Sequence, residues 1–241
     1  MKASRPARVV RGLYRRALPI GPVIAVETKR PELVLTFDDG PDPDGTIAVL
    51  DALAAAEASA TFFVLASRVR LYPEILHRVA DGGHEIALHG LDHRAFTDFT
   101  PRELATRCAQ ARTAVQDATG AAVRWIRPPY GRLTFGGWRA LRAIGLDAVL
   151  WGPSLWDSRQ ADDAARLARA VNGAGPGAIV LGHDAHADER DGVDDGPAPS
   201  VDRGSLVSEV IASYRERGLS VVTLGHATEA GRLRRSPVFV R

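Results

Sequence analysis

The strongest constraint in this chain is a rhythm. From Pro31 onward, short apolar runs alternate with longer segments of helical character. Strands are expected at residues 32–37, 61–65, 84–88, 123–126, 147–151, 178–181 and 219–224. Helices are expected at 45–57, at a segment reaching about residue 80 with Pro73 inside it, and at 101–119, 135–144, 162–171 and 206–217. Thr100-Pro101-x-Glu103 opens the third of these with an N-cap and a proline at the first helical position. Such alternation implies βαβ units and a parallel sheet. The strands are near-continuous apolar runs, as expected when helices cover both faces.

Periodicity leaves open whether that sheet is doubly wound or closed into a barrel. The polar residues that follow the strands discriminate. Strand ends run into Asp38-Asp39-Gly40-Pro41, His89-Gly90-Leu91-Asp92-His93, Arg127-Pro128-Pro129-Tyr130-Gly131, Trp156-Asp157 and Gly182-His183-Asp184. Five strands therefore deliver ionisable groups at their C-terminal ends. A barrel gathers those ends on one rim, whereas an open sheet spreads them along an edge. The expected fold is an α/β protein, a (β/α) barrel of about seven parallel strands.

Composition narrows the function classes. A hydrophobic fraction of 45% in 241 residues supports a sizeable core. No apolar run approaches the ~18 residues of a membrane-spanning helix. The single cysteine, Cys108, excludes an internal disulfide framework and any multi-cysteine zinc site. Its mid-helix position suits a small packed residue. Net charge is +2, yet residues 1–16 carry six cations and residues 231–241 four, with no acid in either stretch. The body between them is therefore acidic, which argues against a nucleic-acid groove there. The expected organisation is a basic amphipathic segment at 1–30, a catalytic domain at 31–226 and a basic C-terminal tail at 227–241. Residues 8–18 split into an apolar and an arginine face. They suit either peripheral contact with an anionic membrane surface or docking on the barrel floor. With no convincing signal peptide, a cytoplasmic or peripheral cytoplasmic-membrane location is expected.

The rim residues carry the chemistry. In an extended chain, adjacent Asp38 and Asp39 point to opposite sides, so one can bind a metal while the other faces substrate; the same Asp-Asp-Gly-Pro is also good turn chemistry. His89 and His93 are spaced i, i+4, and on a helical turn both imidazoles would grip one cation. One carboxylate completes a two-His, one-carboxylate set with open positions. Zinc is the natural occupant for hydrolysis, because it acidifies a bound water and polarises a carbonyl. His183 follows a core strand on the same rim. His77 and His84 read as helix-surface and pre-strand residues, and His226 has no partner in view. His186 lies in the acidic stretch 184–196, which reads as a solvated surface insertion.

Taken in order, Thr-Phe-Asp-Asp-Gly-Pro, His-x-x-x-His, Arg-Pro-Pro-Tyr-Gly and Leu-Gly-His-Asp resemble the motifs of the polysaccharide deacetylase, or NodB-homology, family (carbohydrate esterase family four). The resemblance covers roughly Pro31 to Leu224 and implies a distorted (β/α) barrel. It implies that Asp39, His89 and His93 hold one divalent metal, most naturally Zn2+, with Co2+, Mn2+ or Ni2+ as other occupants. Asp38 would be the general base and His183 the acid that protonates the leaving amine. Arg127 would orient Asp38, the Tyr130 backbone N–H would hold the oxyanion, and Leu181 would line the acetyl pocket. Asp157 and Trp156 are the nearest match to a fourth motif that tunes the acid histidine and walls the groove. Two departures stand out. Gly90 replaces the Ser or Thr that usually follows the first metal histidine, and the order Trp156-Asp157 is unusual. The resemblance implies an N-deacetylase acting on N-acetylglucosamine-type units of a polysaccharide or glycan precursor. A deformylase or deacetylase of a lipid-linked or nucleotide-linked sugar, and a non-catalytic carbohydrate-binding module, are the alternatives.

Overall fold

The computed structural model describes residues 20–237 and 239–240; the candidate helix at 8–18 lies outside them. Among the described residues there are nine strands, in chain order β1 (Val23–Glu27), β2 (Glu32–Asp38), β3 (Thr61–Leu65), β4 (Glu85–Gly90), β5 (Trp125–Ile126), β6 (Asp147–Ala148), β7 (Ile179–His183), β8 (Ser220–Val222) and β9 (Arg232–Arg235). Helices α1 (Gly45–Ala55), α2 (Ala66–Val69), α3 (Pro73–Asp81), α4 (Pro101–Thr119), α5 (Phe135–Ala143), α6 (Asp163–Val171), α7 (Arg203–Glu216) and α8 (Leu224–Ala230) intervene. The parallel sheet runs β6-β5-β4-β3-β2-β7, and β8 pairs with the first half of β2. Between β7 and β6 there is no regular ladder. Isolated bridges Val23–Val149, Ala25–Ala178 and Ser154–Leu181 span that seam. The result is a distorted (β/α) barrel.

Side-chain alternation sorts the core into two layers. Leu33, Leu35 and Phe37 of β2 point outward with Phe62, Val64, Ile86, Leu88 and Ile126, into the cluster beneath the helices. Val34, Phe63, Ala87, Trp125, Val149 and Ile179 point inward and fill the barrel. Further along the same inward register come Asp38, His89, Arg127 and His183. The polar site is thus the top layer of the barrel filling.

Local chemistry sets the helix boundaries. Thr100 is the N-cap, as expected, and with Glu103 it forms a reciprocal capping box. Asp162 and Asp202 cap α6 and α7 through Ala165 N and Ser205 N. The single helix expected up to residue 80 is instead two, because Pro73 serves as the first residue of a new helix.

The ends differ from expectation. β1 pairs antiparallel with β9, and α8 contributes Leu224 and Ala227 to the inner cluster. Arg235 reaches the buried Asp147 with two contacts of 2.7 Å. Residues 23–30 and 227–235 therefore belong to the folded unit, which is wider than 31–226. Alternating charge along Arg232–Arg235 hid this strand, since its partly exposed face tolerates arginine. His226 also has a partner after all, Glu32 at 3.5 Å. Among the described residues, no helix is long and apolar enough to cross a membrane.

Candidate active site

The two aspartates leave β2 together but do not diverge. Asp39 has φ of 80°, a left-handed conformation uncommon for a non-glycine residue. That turn re-aims its carboxylate, so Asp38 and Asp39 face one cavity instead of opposite sides. Asp184 buttresses the turn: its Oδ1 accepts from Gly40 N at 3.1 Å, and its Oδ2 accepts from Thr46 Oγ1 at 2.5 Å. A Cβ on Gly40 would lie 2.1 Å from Asp184 Oδ2, so only glycine lets the carboxyl approach. Burial pushes the Asp184 carboxyl up to about 7.

His89 and His93 do not share a helical turn. His89 is an inward residue of β4, and His93 sits on the bend beyond it. Gly90 makes that bend possible. It has φ of 144°, and a Cβ there would lie 2.7 Å from the Asp92 carbonyl oxygen. The rings meet with centroids 5.2 Å apart. Asp39 Oδ1 lies 3.4 Å from His89 Nε2 and 3.3 Å from His93 Nε2. That oxygen is buried and has no hydrogen-bond donor. His89 Nδ1 is 2.9 Å from the Arg127 carbonyl oxygen, which fixes the proton on Nδ1 and presents the Nε2 lone pair to the cluster. Burial and the neighbouring cations hold His89 well below the usual imidazole range. A carboxylate oxygen without a donor, facing two imidazole nitrogens, fits a divalent cation.

Arg127 is fully buried at the end of β5. Its Nη1 donates to Asp38 Oδ1 and to Thr36 Oγ1, both at 2.7 Å. Its guanidinium carbon lies 4.1 Å from the Phe63 ring centroid, which offsets the two nitrogens that lack partners. Burial raises Asp38 to about 6, with Arg127 pulling against it.

Across the cavity, His183 Nδ1 lies 2.9 Å from Asp157 Oδ1, and the His183 amide donates to Asp157 Oδ2 at 2.5 Å. Burial opposes charge on His183, but the Asp157 carboxylate prevails and lifts the imidazole to about 9. Trp156, at φ of 56°, turns its ring into the wall, with Arg169 3.9 Å behind it. Asp38, Asp39, His89, His93, Tyr130, Trp156, Leu181 and His183 all line one cavity of about 560 Å³. Arg127 and Asp157 stand directly behind it. The candidate catalytic, substrate-binding and metal-binding residues named from the sequence thus line or adjoin this one cavity.

One reading of the sequence is corrected. The acidic stretch after β7 is solvated only in its outer part: residues 184–188 and Asp191 are buried or half-buried, while most of 192–196 is exposed. Arg68, buried on α2, donates from Nε and Nη2 to Asp191 Oδ2 at 3.0 and 2.8 Å, and from Nη2 to the His186 carbonyl at 2.7 Å. The Asp191 carbonyl accepts from the His93 amide at 2.9 Å. The segment is a strap along the cavity, to which His186, Ala187 and Asp195 contribute. Its position offered the missing signal, because a long connection after a barrel strand overhangs the catalytic rim.

Fold and rim together define a (β/α)-barrel protein with a candidate metal centre flanked by a carboxylate and an imidazole. The family described as "Polysaccharide deacetylase" matches residues 25–149, and the chain belongs to it. The peptidoglycan-N-acetylmuramic acid deacetylase PdaC of Bacillus subtilis is 30% identical over 210 residues, which are 87% of this chain and 41% of that protein. This chain thus spans about two fifths of that relative's length. The chitooligosaccharide deacetylase of Rhizobium leguminosarum is 34% identical over 203 residues, 82% of this chain and 87% of its own length. The solved structure of PdaC superposes with a TM-score of 0.69 at 28% identity, covering 83% of this chain and 93% of that one.

Proposed function

We propose that the chain is a metal-dependent hydrolase that removes N-acetyl groups from N-acetylglucosamine-type units of a polysaccharide or glycan precursor. The observation that carries this reading is the convergence of the Asp39–His89–His93 cluster with two differently buttressed titratable groups, Asp38 on Arg127 and His183 on Asp157. Zn2+ suits the donor set best, with Co2+, Mn2+ or Ni2+ as substitutes. A divalent cation bound there supplies a Lewis acid that polarises the amide carbonyl and acidifies a water.

The chain's own residues supply the rest. Asp38, held by Arg127, accepts a proton from the attacking water. His183, kept protonated by Asp157, donates to the departing sugar amine, which leaves poorly as an anion. The Tyr130 backbone N–H stabilises the developing oxyanion. Leu181 packs the acyl methyl, and Trp156 offers a face to the sugar ring. Peripheral contact of residues 8–18 with an anionic membrane, and a cytoplasmic location, remain part of the proposal and are tested by vesicle sedimentation. The main test is release of acetate, with formate measured in parallel, from N-acylated glycans and lipid- or nucleotide-linked sugars. Activity should disappear on chelation and return with Zn2+ or Co2+. Full turnover in metal-free protein refutes the reading.

A further inference from the structure

We propose that Asp195, on the strap after β7, is a positioning residue for His93. The inference rests on reading Asp39, His89 and His93 as metal ligands. His89 takes its outer contact from the backbone of its neighbouring strand, the Arg127 carbonyl. His93 has no such backbone acceptor, because the bend at Gly90 lifts it off the sheet. Its Nδ1 instead lies 3.1 Å from Tyr130 Oη and 3.3 Å from Asp195 Oδ2. Tyr130 Oη in turn donates toward Asp195, at 2.8 Å from Oδ1 and 2.9 Å from Oδ2.

These contacts have one consistent proton arrangement. With a cation shared between His93 Nε2 and Asp39, Nδ1 carries the hydrogen and donates to Tyr130 Oη or directly to the carboxylate. Tyr130 passes its own hydrogen to Asp195. The edge-on packing of the Tyr130 and His93 rings, centroids 4.6 Å apart, sets the angle of the imidazole. Asp195 lies on the Nδ1 side of the ring, away from Nε2, so it does not compete as a ligand. It closes a carboxylate–histidine relay that fixes tautomer and orientation. The strap brings it there under restraint: the Arg68–Asp191 pair and the bond from His93 N to Asp191 O anchor the segment just before it.

The test compares Asp195→Asn, Asp195→Ala and Tyr130→Phe with wild type, using Zn2+ affinity by chelator competition and the visible spectrum of the Co2+-loaded protein. Asp194→Ala is the control, since Asp194 carries the same charge on the same strap without touching His93. Loss of an outer partner of a metal-bound imidazole weakens binding about 10- to 100-fold. Asp195→Ala should show that loss with an altered cobalt spectrum, Asp195→Asn a smaller one, and Asp194→Ala neither. Asp195→Ala and Tyr130→Phe combined should lose less than the product of the single effects, because they share one relay. Unchanged affinity and spectrum in the Asp195 variants overturn the proposal, even if their melting temperatures fall. Equal weakening by Asp194→Ala also overturns it, since bulk charge would then explain the effect. If wild type itself binds no divalent ion, the reading of the metal site fails, which is a separate outcome.

Discussion

Arg127→Met isolates what the buried guanidinium does for Asp38. Arg127 is wholly inaccessible, and its Nη1 stands 2.7 Å from the Asp38 carboxylate. Stranding a buried charge by removing its partner costs about 3–5 kcal/mol if the charge persists. Protonation is cheaper, so Asp38 will take up a proton instead. With Arg127 present, Asp38 sits at about 6. Loss of an adjacent opposite charge moves a carboxylate by roughly 1–3 units, and a middle value of about 2 carries it to about 8. At neutral pH the ionised fraction then falls from about nine tenths to about one tenth, so turnover drops roughly tenfold, or ~1.4 kcal/mol. The signature is in the pH dependence of kcat/KM. The acid limb should move up by about 2 units, and the gap between the proteins should close as the medium turns alkaline. The basic limb should move much less and downward, because Asp157 is the main support of the His183 charge and Asp38 a lesser one. A bound cation lowers the acid limb of both proteins, so the displacement between them is the measured quantity. An acid limb that coincides with that of wild type would refute the reasoning, even if turnover were reduced.

Three further outcomes follow from the same geometry. Wild-type kcat/KM should be bell-shaped, rising as Asp38 ionises, below about 6 once a cation is bound, and falling as His183 deprotonates; in Asp157→Asn burial prevails and the basic limb should move down, whereas an unmoved basic limb counts against His183 as the acid. Gly90→Ala places a methyl 2.7 Å from the Asp92 carbonyl at φ of 144°, which should cost about 1–3 kcal/mol and reduce bound metal; a wild-type melting temperature with full metal content would contradict this. Arg68→Met strands Asp191, whose side chain is 0% exposed, and should destabilise by about 3–5 kcal/mol in denaturant titration; a shift under about 1 kcal/mol, typical of surface pairs, would mean the strap is not anchored there.

The sequence carried the seven parallel strands because each is a near-unbroken apolar run flanked by breakers or caps. β5 and β6 proved shorter than expected, since residues after Ala148 leave the regular ladder to bond with Val23 and Ile179 across the seam. β1 and β9 were illegible for a different reason: Arg232–Arg235 reads as a basic tail until a partner strand covers its alternate face. Motif order pointed to residues that gather around one cavity, but their orientations depended on backbone turns that spacing cannot reveal. Asp39 turns toward Asp38 through one positive φ, and the histidines converge across a bend instead of along a helix. Asp195 was hidden because an acidic loop residue looks solvated until the tether that folds its loop back is known. That tether, Arg68 to Asp191, joins residues 123 positions apart.

The seam also bears on how the chain closes upon itself. At its lower end it depends on the β1–β9 ribbon, where Arg232 meets Glu27 across 205 intervening steps of chain. Its upper end, Ser154 with Leu181, is far more local. Contacts of such unequal contact order differ in the entropy of loop closure, so the upper staple can form early while the ribbon waits for nearly all the polypeptide. The same inequality orders native-state breathing: excursions that unzip the ribbon cost less than those that separate β2 from β3 or β7. Amide exchange along β9, which among the described residues pairs with β1 alone, should therefore outpace exchange at Val34, whose amide is bonded to the Ala178 carbonyl. The floor should open before the rim does.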